Sequence, residues 1–268
     1  MKQHAVPKLL VTVSYLFMIT VNALANILPL NGKNTGEVSD SYPNLFAPAG
    51  FTFSIWGLIY LLLGGFVLYQ WKKSSSFSRH TNDRLLVELR TPFIVTCLSN
   101  AAWLFSWHYE WIALSTVFMG ILLITLIHIS SYFEGGSLSI KENLFLRVPF
   151  SVYFGWITVA TVANITILLV KWNWDGFGLS SQFWTILILV VTLGIASAVI
   201  HFKRDLAYGL VIIWAFGGII AKHLDKNGWN GQYPYVLYTL YACLAILILL
   251  LIYTGTQIWK NKNSRSFV

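Results

Sequence analysis

The chain has 268 residues, of which 56% are hydrophobic and only 10% charged. Soluble domains carry about 25% charged residues, so this composition excludes an extended soluble domain. A formal net charge of +8 and a pI near 9.5 raise the question of a nucleic-acid partner, which the placement of the charges answers below.

A helix needs roughly 20 apolar residues to cross the hydrocarbon core, and eight segments qualify. The first, 9–28, carries Asn22 and Asn26 four apart, on one face. Lys2, Lys8 and Ala23-Leu24-Ala25 also resemble a cleavable signal peptide; the two asparagines favour a retained helix. The loop at 29–51 ends in Phe46-Ala47-Pro48-Ala49-Gly50-Phe51, where Pro48 and Gly50 would let it fold over as a lid. The second span, 52–71, presents Phe53, Trp56 and Tyr60 at i, i+3, i+7.

A polar, basic loop at 72–91 follows, a topology determinant or a contact with anionic lipid head groups. The third span, 92–107, opens with Pro92 in its first turn, where a missing N–H costs little, and aligns Asn100, Trp103 and Trp107. The fourth is 111–133. The fifth, 148–170, aligns Trp156, Ala160 and Asn164 at i, i+4, i+8. The sixth (182–202) and seventh (207–222) are divided by Lys203-Arg204-Asp205, and the eighth is 235–259. The expected fold class is therefore all-α, a polytopic membrane helical bundle.

Eight spans put both termini on one side. That side collects Lys2, Lys8, Lys72, Lys73, Arg79, Arg84, Arg90, Lys141, Arg147, Lys203, Arg204, Lys260, Lys262 and Arg265, leaving Lys33, Lys171, Lys222 and Lys226 opposite. The positive-inside rule makes the crowded side cytoplasmic. It accounts for the basic pI with no nucleic acid. The expected partners are membrane lipid and a small ligand. Small residues such as Gly64-Gly65, Gly194 and Gly217-Gly218 would permit close helix approach, within the chain or in a homodimer.

Polar groups in a bilayer are expensive unless they face protein or water. The four polar-aromatic stripes fall in the middle or outer half of the membrane. One reading is a cavity lined by Trp, Tyr, Phe and Asn, suited to a flat, mostly apolar ligand with polar edges. The other is helix packing, since Asn joins helices and Trp and Tyr gather at membrane interfaces. Trp71, Trp111, Trp172, Trp174, Trp229 and Trp259 sit near span ends and read as interfacial belt. Cys97 and Cys243 read as packing residues. His4, His80, His108, His128, His201 and His223 are scattered without i, i+3 or i, i+4 pairs, so neither metal nor cofactor is expected.

The stripes also resemble a known family. The stretch FAPAGFTFSIWGLIYLLLG from Phe46 to Gly64, Asn100-Ala101-Ala102-Trp103, and Trp156 to Asn164 with Tyr153 three residues earlier are similar to three motifs of the TspO/MBR family. That family comprises the tryptophan-rich sensory proteins and the translocator protein, or peripheral benzodiazepine receptor. The resemblance covers about 9–170, the family's five-helix unit, and divides the chain into a ligand-binding unit at 1–175 and three further helices with a basic tail at 176–268.

The resemblance implies binding of porphyrins and other tetrapyrroles, sterols, or isoquinoline and benzodiazepine drugs in a pocket among the first five helices, under the 29–51 loop. Trp56, Asn100, Trp103, Trp156, Ala160 and Asn164 would line or support it, with Asn22, Asn26, Pro48, Phe53, Tyr60, Trp107 and Tyr153 added from the stripes and loop. It equally implies an alternative, light- and oxygen-dependent porphyrin breakdown involving Trp56 and Trp156; a third is small-molecule transport using the extra helices. A binding or sensor protein is favoured over an enzyme, in a bacterial plasma membrane. The chain departs from the family pattern in having Pro48 alone after Ala47, Phe51 where Trp or Tyr is usual, and an early Pro149.

Overall fold

A computed structural model describes residues 2–28, 30–72, 81–134 and 138–264. The expected lipid contact at 72–91 lies partly outside them, with Lys73, Arg79 and His80; so does Arg265. Among the described residues, eight helices are long and apolar enough to cross a membrane: Val6–Ile27, Gly50–Lys72, Arg84–His108, Ile112–Ser131, Ile140–Lys171, Ser181–Lys203, Leu206–Leu224 and Pro234–Asn261. No strand occurs among the described residues. The all-α polytopic bundle is thus the observed fold.

Two boundaries differ from the sequence reading. The third span does not begin at Pro92; its helix starts at Thr81 and runs through the proline to His108. Leu86, Leu89, Phe93 and Cys97 are all buried, so one apolar stripe continues across Pro92 at spacings of three and four. Packing of that stripe outweighs the single hydrogen bond the ring removes. The fifth span starts earlier than expected, at Ile140. Ser139 and Glu142 form a capping box there. A π-helical turn, Asn143–Arg147, leads into Pro149, a local widening that absorbs the missing proline N–H.

The first five spans form a ring with one weak side. The first packs on the third, the third on the fourth, the fourth on the fifth and the fifth on the second, whereas the second meets the first only lightly. The seventh span lies against the outer face of the fifth, and the sixth and eighth lie behind it.

The fifth–seventh junction is tight because Gly155 has no side chain: a Cβ there would sit 3.0 Å from both Tyr208 O and Val211 Cβ. The Tyr208 hydroxyl donates to Thr158 Oγ1 at 3.1 Å. Buried Asp205 caps the seventh span by accepting from Tyr208 N, and also accepts from Ser151 Oγ at 2.6 Å.

Charged side chains collect at the two ends of the bundle. At one, Lys203 pairs with Glu134 at 2.8 Å, and Lys8 lies over the Trp71 ring at 5.7 Å. At the other, Lys33 pairs with Glu110 at 2.8 Å and Lys222 with Asp40 at 2.6 Å. Among the described residues, the first end carries those assigned above to the basic side, and the second the four opposite.

Candidate functional site: a cavity at the weak seam

The light contact between the first and second spans leaves a cavity of about 960 Å³. The first span contributes Tyr15, Ile19, Asn22 and Asn26, and the second Phe53, Trp56, Gly57 and Tyr60. Asn34, Thr35 and Gly36 roof it. These belong to a short helix, Thr35–Asp40, inside the loop, which starts with a capping box between Asn34 and Glu37. Ala23, Gly57 and Leu61 on the rim are exposed, so the cavity opens sideways between the two spans.

A chain of side-chain hydrogen bonds forms its back wall, and it uses four different spans. Tyr60 of the second donates to Asn22 Oδ1 of the first. Asn22 Nδ2 donates to Asn100 Oδ1 of the third at 2.7 Å. Asn100 Nδ2 donates to the Tyr153 hydroxyl of the fifth at 3.2 Å. Each amide uses its oxygen and its nitrogen, so neither leaves a buried polar group unsatisfied. Tyr15 spans the seam, its hydroxyl donating to Tyr60 O at 2.9 Å.

Trp56 is the hub of the aromatic lining. It stacks on Tyr60 at 5.6 Å between centroids, tilts against Trp103 at 5.5 Å, and meets Tyr153 and Trp156 edge-on at 5.9 and 6.1 Å. Phe53 meets Trp156 at 5.9 Å. Such edge-on and offset pairs are favourable ring geometries, and they give the wall a fixed shape.

Among the sequence-derived candidates, Asn22, Asn26, Phe53, Trp56 and Tyr60 line the cavity directly. Asn100, Trp103, Tyr153 and Trp156 form a second layer that touches Asn22 or Trp56. Trp107 lies farther off and donates to Thr35 O at 3.1 Å, tying the third span to the roof. Asn164 is buried away from the cavity: it accepts from Trp103 Nε1 at 3.0 Å and donates to Ser115 and Thr116 of the fourth span. Ala160 is half-buried and Pro48 is buried in the loop.

Lining residues absent from the sequence reading include Tyr15, Ile19 and the roof. Tyr15 and Ile19 lie seven and three positions before Asn22, on the face already marked by Asn22 and Asn26. The Asn-x-x-Glu capping box was a readable signal for the roof helix.

The seventh span holds the loop from outside. Ala49 N donates to Gly218 O at 2.9 Å, Trp214 Nε1 to Thr52 O at 3.0 Å, and His223 Nε2 to Leu45 O at 2.9 Å. A Cβ on Gly218 would lie 2.1 Å from Thr52 Oγ1, so only glycine admits this approach. No residue of the last three spans lines the seam cavity among the described residues.

These features define a polytopic helical membrane protein with a laterally open aromatic–amide cavity. The family described as TSPO-like protein matches residues 8–253, so the chain belongs to the TSPO-like family. The match reaches past the first five spans through the sixth and seventh and into the eighth. No match was found among curated proteins, and none among solved structures.

Proposed function

We propose that the seam cavity binds a flat, mostly apolar ligand with polar edges, of the porphyrin or tetrapyrrole class, and that the protein acts as a membrane binding or sensor protein. The observation that carries this reading is the union of one open aromatic wall with a satisfied amide–tyrosine chain. Trp56, Phe53 and Tyr60 offer ring surface, while Asn22, Asn26 and Thr35 lie at the rim and roof to meet polar edges. The volume is in the range of small-molecule sites, about 300–1,000 Å³. Orientation with the termini in the cytoplasm, in a bacterial plasma membrane, is part of the same proposal and rests on the charge asymmetry.

The test is a protoporphyrin titration of detergent-purified protein, followed in the porphyrin's absorption, beside a Gly57→Trp variant. Gly57 lines the cavity and a Cβ there meets nothing within 4 Å, so the added ring has room at its root and is expected to take up cavity volume. Saturable binding weakened at least tenfold (about 1.4 kcal/mol) in G57W is expected. No saturable binding, or equal binding by G57W, overturns the reading. Illumination of the bound sample separates the alternatives: an unchanged porphyrin spectrum means a binder, whereas bleaching that needs oxygen and Trp56 means an enzyme.

A further inference from the structure

A second cavity, of about 340 Å³, lies at the opposite end of the protein from the basic face, between the fifth and sixth spans, the loop at 43–45 and the segment that joins the seventh span to the eighth. Its upper wall is aromatic: Trp174, Trp184, Trp229 and Tyr233. All four are half-buried, with surface turned to the cavity. Trp174 and Trp184 stand 5.0 Å apart at 57°, and Trp229 and Tyr233 5.4 Å apart at 85°. The lining contains one charged side chain, Asp175, and no Lys, Arg or His. Its lower wall is aliphatic, including Leu169 and Ile188.

The loop that carries this wall is built with unusual backbone. Asn173, Gly176, Phe177 and Gly178 all have positive φ, between 51° and 75°. For a residue as bulky as Phe this conformation is an outlier, and such strain collects at ligand-binding positions. The turn has a visible result. Asp175 accepts from Phe177 N at 3.0 Å, and Gly176 O accepts from Trp184 Nε1 at 2.9 Å, fixing the Trp184 ring. A Cβ on Gly176 would lie 3.1 Å from Trp184 Nε1.

Ring faces carry negative potential and attract cations, most strongly when the cation is an ammonium with an apolar shell. Several indoles, one phenol, one carboxylate and no competing positive charge form a lining complementary to that chemistry. A belt tryptophan faces lipid, as Trp172 does at 64% exposed, whereas Trp174 and Trp229 turn inward. We propose that this outer cavity is a separate binding site for organic ammonium cations bearing small alkyl groups. The four rings surround the cation and Asp175 supplies the counter-charge. A free solute and a lipid head group both carry this ammonium chemistry, and the experiment below separates the two sources.

The probe is radiolabelled choline, measured by equilibrium binding to full-length protein in dodecyl maltoside, a detergent without an ammonium group. Saturable binding is expected. Its neutral carbon isostere, 3,3-dimethylbutan-1-ol, is expected to compete at least tenfold less well than unlabelled choline, and Asp175→Asn and Trp184→Leu should each weaken choline at least fivefold. The isostere comparison uses wild-type protein, so it stands whether or not W184L folds. In phosphatidylglycerol nanodiscs choline should still bind. Loss of that binding in phosphatidylcholine nanodiscs would assign the site to lipid head groups, and its retention to a free cation. No saturable choline binding in detergent or in phosphatidylglycerol, or equal competition by the isostere, overturns the proposal.

Discussion

Two seams of this bundle are built from similar residues and end up opposite in character. At the fifth–seventh junction Gly155 brings backbone and Val211 together, and the polar groups of Ser151, Thr158, Asp205 and Tyr208 bond across the interface. Nothing is left over for a ligand. At the first–second junction a tyrosine hydroxyl again bonds across the gap, from Tyr15 to Tyr60 O. There, however, Gly57 faces open space. The contrast teaches that a glycine does not itself close a seam. It closes one when the opposing helix offers a side chain that fits against it, and leaves a cavity when it does not.

The sharpest way to break this comparison is to add volume on each side. Gly155→Leu is expected to cost about 1–3 kcal/mol, as overpacking does, and to lower the thermal midpoint in detergent clearly. Gly57→Leu should stay within about 0.5 kcal/mol of wild type, as substitutions in open positions do. Equal losses would show that the two seams do not differ as described.

Next in size is Asn100→Leu, which removes the middle of the four-span chain and leaves the Tyr153 hydroxyl without its partner, while Asn22 keeps Met18 O and Tyr60. Buried unsatisfied groups cost about 1–3 kcal/mol, while hydrogen bonds between membrane helices average about 0.6 kcal/mol. An intermediate loss of about 1–2 kcal/mol is therefore expected in a denaturation series. Tyr15→Phe removes a single bond across the seam and should cost about 0.5–1 kcal/mol, with hydrogen exchange rising in the second span near Tyr60 and not at the fifth–seventh junction.

The smallest effect concerns the outer rim, at Glu110 between the third and fourth spans. Hydrogen bonds from Lys33 and then Tyr42 hold its carboxyl below the ordinary carboxylate range. A depressed folded value stabilises above the unfolded pKa of about 4.3, and that stabilisation is lost as pH falls through the lower folded value. Partly exposed pairs contribute little. The difference in thermal midpoint between wild type and Glu110→Gln should thus be small at pH 7, shrink as pH falls below about 4.3, and vanish only below the lowered folded value.

Much of the fold was legible in the chain because length and hydropathy determine a membrane span almost alone. The eight spans and the sorting of basic residues to one end needed no tertiary information. The candidate site was legible only in part. Spacing reveals which residues share a helix face, and so found Asn22 with Asn26 and Phe53 with Trp56 and Tyr60. It does not reveal which neighbour that face meets. Asn100, Trp103 and Asn164 carry the same signature as the cavity residues, yet Asn100 and Trp103 sit behind Asn22 and Trp56, and Asn164 faces Trp103 and the fourth span. Pro92 misled for a related reason: a local rule about proline ignored the buried stripe running through it. Trp174 and Trp229 looked like belt residues because their inward turn depends on a loop of left-handed residues that position in the chain does not disclose.

The attachment of the loop to the seventh span has a kinetic consequence. The loop is held from outside by the seventh span, through Gly218 O, Trp214 at Thr52 and His223 at Leu45, and Trp107 of the third span holds the roof at Thr35 O, so lifting it would mean prying the loop from both helices. The side opening between the first two spans is guarded by far less. A hydrophobic ligand of the proposed site would therefore reach the cavity by dissolving in the bilayer first and diffusing in two dimensions. Its occupancy should track its mole fraction in the lipid rather than its aqueous concentration, and ligands of equal intrinsic affinity should rank by their water-to-membrane partition coefficients.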